Sequence, residues 1–99
     1  MAKETVTVSA WLAHRIPAFL ENRRSDVRSI RQWLAQSDYT RIQALAHNIK
    51  GVGGAYGFTR MSEIGRTIEQ AAMRKDSATI EGAIDELEAY LVDIDVVFT

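Results

Sequence analysis

Ninety-nine residues make one domain, small but long enough for the core of a single helical bundle. Apolar content of 46% and charged content of 25% are ordinary for a globular protein. The absence of cysteine excludes disulfides and thiolate metal sites and fits a reducing compartment, and no apolar run is long enough to cross a membrane.

The net charge of −1 hides a division. Residues 1–60 hold nine Lys/Arg against four Asp/Glu, and residues 61–99 hold three against nine. The Arg-rich part (Arg15, Arg23, Arg24, Arg28, Arg31, Arg41) reads either as a solvated helix face or as a surface that steers an acidic partner. With a slightly acidic total and no base-reading motif, no nucleic-acid partner is expected. Met1-Ala2-Lys3-Glu4 lacks the basic and apolar regions of a signal peptide, so the expected location is cytoplasmic, with no membrane association.

In chain order, residues 1–8 are expected to form a flexible N-terminus and residues 9–99 a single domain. Ser9 suits the N-cap of a short helix through Trp11, Leu12 and Ile16. Pro17 suits the first turn of a second helix running to about Gln36, with Leu20, Val27, Ile30 and Leu34 inward and Arg23 snorkelling at a flank. Ser37-Asp38 breaks the pattern, and Asp38 is placed as the N-cap of the next helix. There, Ile42, Leu45, Ile49, Val52 and Tyr56 fall at the 3-4-3-4 spacing of a buried stripe. Gly57 is placed as a C′ glycine.

A further helix begins near Thr59 with Met61, Ile64, Ile68, Ala71 and Ala72 on one side. Asp76-Ser77 resets the chain. The last helix carries Ile80, Ile84, Leu87, Leu91, Ile94 and Phe98 as one stripe, with an acidic solvent face. No strand-like alternation is expected. The fold class is therefore all-α, an antiparallel up-down four-helix bundle with a short additional N-terminal helix. Trp11, Trp33, Tyr39, Phe58 and the methionines read as core or rim.

At about 100° per residue, His47 lies opposite the centre of its helix's apolar stripe and faces water. Lys50 follows one turn later, and Gly51 and Gly54 share the outer face. Exposed glycines inside a helix cost about 1 kcal/mol each relative to alanine. The compensating property is bareness: a partner's backbone can come close to the imidazole. Gly53 and Gly57 point elsewhere and read as structural, and His14 reads as a surface residue.

A neutral imidazole is a nucleophile near neutral pH, since its unperturbed pKa is about 6.5. Attack by one ring nitrogen requires the other to be held as N–H by an acceptor. Glu69 and Gln70, on the following antiparallel helix, are the candidates. Lys50 can pair with an anionic group brought to the ring, worth roughly 1–4 kcal/mol at ~4 Å according to the local dielectric. Two histidines 33 positions apart satisfy neither the Glu-x-x-His pairs of di-iron bundles nor a zinc helix, so no metal site is expected. No G-x-x-x-x-G-K-[ST] phosphate loop is present either, so phosphorylation from ATP is not expected.

Ala46-His47-x-Ile49-Lys50-Gly51, five further residues and then Gly57-Phe58 resembles the signature of the histidine-containing phosphotransfer (HPt) domain. The resemblance implies a phosphorelay intermediate of two-component signalling, in which His47 takes a phosphoryl group from a receiver-domain aspartate and passes it to another receiver. It implies a phosphocarrier rather than an enzyme. The implied partners are receiver domains of response regulators and of a hybrid sensor kinase, with Mg²⁺ on the partner receiver and no cofactor in the carrier itself. Gln43, Ala44, Gly51 and Gly54 would form the docking surface of a monomeric carrier. Some HPt relatives have a glutamine 22 residues after the histidine; here that count falls on Glu69, a departure that preserves an acceptor. The phosphoacceptor domain of a chemotaxis-type kinase is a related possibility within this class, and a non-catalytic helical interaction bundle is the alternative outside it.

Overall fold

The computed structural model describes residues 4–99, so the expectation for residues 1–3 lies outside the described residues. Four helices form the body: α1 (Ile16–Ala35), α2 (Tyr39–Ala55), α3 (Thr59–Met73) and α4 (Ser77–Asp93). α1 packs on α2 and α4, and α3 packs on α2 and α4, which closes the ring of an up-down bundle. Pro17 lies in the first turn of α1, where its missing N–H is not needed. No helix among the described residues is long and apolar enough to cross a membrane.

Each of the three interhelical connections has three residues and the same construction. The middle residue is left-handed: Ser37 at φ 54°, Gly57 at φ 87° and Lys75 at φ 56°. The third residue sends its N–H back into the preceding helix, Asp38 to the Trp33 carbonyl (2.9 Å), Phe58 to Gly53 (2.7 Å) and Asp76 to Ala71 (2.9 Å). These are Schellman closures, which satisfy the last carbonyls of one helix while turning directly into the next. Asp38 and Asp76 then cap the following helices by accepting from the amides of Arg41 and Thr79 at 3.2 and 3.1 Å.

The buried line of α2 runs through Ile42, Ala46, Ile49 and Gly53, while Leu45, Val52 and Tyr56 are only half-buried. The core face is thus turned slightly from the expected stripe, because small residues at 46 and 53 let neighbouring helices approach. Val27 and Ile30 of α1 are buried as expected, with Leu20 and Leu34 half-buried beside them. Phe19 stacks on Tyr56 (ring centroids 4.5 Å apart) and receives the Arg23 guanidinium 5.1 Å above its ring. Arg23 is buried and its Nε donates to Asp26 at 2.8 Å.

Both ends of the chain depart from the sequence expectation. Residues 5–8 are not frayed: β1 (Thr5–Val8) pairs in parallel with β2 (Asp95–Phe98), with Val6 opposite Val96 and Val8 opposite Phe98. Val6 and Val8 face the core, Val8 with 2% of its surface exposed. Consequently α4 stops at Asp93, and Phe98, expected to continue its stripe, lies in a strand and is 43% exposed. The first helical segment is a 3₁₀ turn over Ala10–Arg15, and Ser9 makes no side-chain cap. Trp11 is 73% exposed, and Met73 is exposed too, so neither is a core residue; Met61 is fully buried. The Tyr90 hydroxyl, buried without a hydrogen-bond partner among the described residues, has its pKa pushed up to about 12 because burial disfavours its anion.

Candidate functional site

The site lies where α2 and α3 run side by side. Gly65 brings them together: a Cβ built there would fall 2.7 Å from the Lys50 amide nitrogen and 3.1 Å from the Ala46 carbonyl oxygen. One turn earlier on α3, Ser62 Oγ donates to the Lys50 carbonyl at 2.8 Å. One turn later comes Glu69, and the close crossing carries its carboxylate onto α2.

Glu69 serves two residues at once. Its Oε2 lies 2.7 Å from His47 Nδ1, and its Oε1 accepts from Lys50 Nζ at 2.8 Å. The His47 side chain is 68% exposed, Lys50 33% and Glu69 15%, so the carboxylate is the sheltered member and the imidazole the presented one. The Lys50 ammonium, followed by the His47 contact, holds the Glu69 carboxyl below its ordinary value of 4.5 against the opposing effect of burial. An ionised carboxylate can only accept, so the proton of this hydrogen bond is on Nδ1. In the neutral ring, the Nε2 lone pair is then left without a protein partner among the described residues.

Of the two candidates for this position, Glu69 makes the contact and Gln70, one residue further round α3, is exposed without joining it. The triad divides the α2–α3 groove into two shallow depressions. One is lined by Thr40, Gln43, Ala44, His47 and Glu69, the other by Lys50, Gly54, Thr59, Ser62, Glu63 and Arg66. Gln43 and Ala44 thus flank the imidazole on one side. Gly51 has no atom within 4 Å of a built Cβ, and Gly54 has only Ser62 Oγ at 3.5 Å, so both glycines are bare. Gly53 is packed against Ser62 N at 3.1 Å, and Gly57 supplies the left-handed turn. His14 is exposed in the 3₁₀ turn, away from these partners.

Gly65 and Ser62 are the site residues that the sequence reading missed. Their signal is a pair of small residues on the α3 line leading to Glu69. The basic stretch is partly spent within the bundle: Arg31 of α1 pairs with Asp85 (2.8 Å) and Glu88 (3.1 Å) of α4, and Arg41 pairs with Asp38 (3.4 Å). Among the described residues, no group of three or more His, Cys, Asp or Glu side chains is placed to hold a metal ion.

A ring of four helices presents at its surface an exposed imidazole tethered through Nδ1 to a sheltered carboxylate. The model of the Hpt domain family matches residues 16–95, from the first residue of α1 to the start of β2. The chain belongs to the Hpt domain family, whose members carry phosphoryl groups between receiver domains in two-component phosphorelays. No curated protein and no solved structure matches the chain.

Proposed function

We propose that His47 is the phosphoacceptor of a relay between receiver domains. The observation that carries this reading is the 2.7 Å contact of Nδ1 with Glu69 on a side chain that is 68% exposed, which directs the nucleophilic lone pair to Nε2. As Nε2 forms its bond to phosphorus, the bond from phosphorus to the partner's aspartyl oxygen breaks, and the electron pair leaves on that carboxylate. The ring becomes cationic, and Glu69 stabilises it through the Nδ1–H bond without taking the proton. Transfer onward to a second aspartate is the same step reversed.

Lys50 serves as charge partner of the phosphoryl oxygens. Its Nζ has three N–H donors and one is directed to Glu69, so donors remain for the incoming group. Gln43, Ala44, Gly51 and Gly54 form the docking surface, with the glycines permitting close approach of the partner's backbone. The receiver contributes Mg²⁺ and its own electrostatic stabilisation. The carrier is a cytoplasmic monomer without kinase activity, nucleic-acid binding or membrane association.

The test is incubation with a ³²P-phosphorylated receiver domain. An acid-labile, base-stable phosphate on this chain is the expected product. No transfer from any receiver domain of the host would instead support a bundle that only binds partners.

A further inference from the structure

We infer that Arg66 is a second cation for the transferring phosphoryl group, meeting its oxygens beside Lys50. The inference rests on the relay reading and adds a residue to it. Its starting point is a charge count at the site. The Lys50 ammonium lies 2.8 Å from the Glu69 carboxylate, and the same carboxylate also takes the His47 hydrogen bond. With a neutral imidazole these three side chains sum to zero charge. A phosphoryl group arrives carrying about −1.5 to −2 charge, and Lys50 alone offers it an ammonium already balanced by a neighbour.

Arg66 occupies the place from which that deficit can be met. It lies three residues before Glu69 and four after Ser62, so the three share one line along α3. Ser62 is bonded to the Lys50 carbonyl and Glu69 to the Lys50 ammonium, which puts Arg66 level with Lys50 across the groove. Arg66 lines the same depression as Lys50, Gly54 and the carboxylate-bearing Glu63, with which it makes no ion pair, and the exposed Gly54 leaves the α2 side of that depression open.

The other arginines of α2 and of the start of α3 are committed elsewhere, Arg41 to Asp38 at 3.4 Å and Arg60 to Glu86 at 2.9 Å. Arg66 is exposed and makes no ion pair among the described residues. A guanidinium presents five N–H donors in a planar fork suited to two phosphoryl oxygens at once, a geometry that complements the single-point contact of lysine.

The experiment compares wild type, Arg66→Ala, Arg66→Lys and, as a control, Arg74→Ala, which removes an exposed arginine at the C-terminal end of α3, outside both depressions of the groove. Two readouts are taken on each protein: the rate of phosphotransfer from a receiver domain loaded with acetyl phosphate, and the ³¹P titration of the phosphohistidine. Arg66→Ala should slow transfer about tenfold or more, with kcat falling more than KM rises. It should also move the second ionisation of the phosphoryl group to higher pH, because a nearby cation favours the dianion. Arg66→Lys should recover most of the rate, and Arg74→Ala should match wild type in both readouts.

The assignment stands only if both readouts move. A slower rate with an unmoved titration would place Arg66 against the partner instead and overturn it, as would an Arg74→Ala loss of equal size. Wild type that takes no label overturns the relay reading and this assignment together. Labelled wild type with an unchanged Arg66→Ala protein overturns the Arg66 assignment alone.

Discussion

Gly65 sits directly against the backbone of Lys50: a Cβ at 65 would lie 2.7 Å from the Lys50 amide nitrogen and 3.1 Å from its Cα. This contact sets the distance between α2 and α3 one turn before Glu69, and so decides whether a glutamate side chain reaches His47. Gly65→Ala must push backbone apart rather than displace a flexible side chain. It should destabilise the bundle by roughly 1–3 kcal/mol, more than the ~1 kcal/mol that alanine gains in helix propensity. Denaturant unfolding measures the loss, and phosphotransfer should slow in parallel as the carboxylate is carried away from the ring.

Glu69 links the site to stability through pH. Its folded-state value is depressed, first by the Lys50 hydrogen bond. The stabilisation is therefore fully present above its unfolded value near 4.5 and is lost as pH falls through the lower folded value. Urea unfolding at about pH 6 and about pH 3 should show a smaller pH-dependent loss in Glu69→Gln than in wild type. The glutamine carbonyl still accepts from Nδ1, so this variant should retain slow phosphotransfer, whereas Glu69→Ala should lose more.

The two bare glycines separate stability from docking. Gly51→Ala meets nothing within 4 Å and should raise stability by up to about 1 kcal/mol in thermal or denaturant unfolding. Gly54→Leu adds bulk to the groove beside Lys50, and should weaken receiver binding about tenfold or more, since misfit at a packed surface costs ~1–3 kcal/mol. An unchanged binding constant for Gly54→Leu would remove close approach as the reason for these glycines.

Residues 5–8 are structural and not a dispensable leader. Val8 is 2% exposed and held between β2 and the core, so Val8→Ala should cost roughly 1–3 kcal/mol of unfolding free energy. A stability equal to wild type would mean that the strand pair contributes nothing to the fold.

The four helices were legible because their apolar residues recur at helical spacing and because Asp38 and Asp76 mark the starts of α2 and α4. The strands were not legible. Thr5–Val8 alternates over only four residues, and its partner lies some ninety positions away, so no local pattern announces the pairing. Ile94 and Phe98 fall in phase with Leu91, which made β2 look like a continuation of α4. At the site, the outward phase of His47, Lys50, Gly51 and Gly54 followed from the periodicity of α2 alone. The choice between Glu69 and Gln70 did not, since one residue is about 100° of helix phase and the deciding contact is made by Gly65, whose closeness to Lys50 is a tertiary fact.

The chain has two histidines, which permits a direct test of the site. Wild type, His47→Gln and His14→Gln are each mixed with a ³²P-phosphorylated receiver domain and followed for label. Label on wild type and on His14→Gln, with none on a folded His47→Gln protein, is the predicted result. Label persisting on His47→Gln would contradict the account.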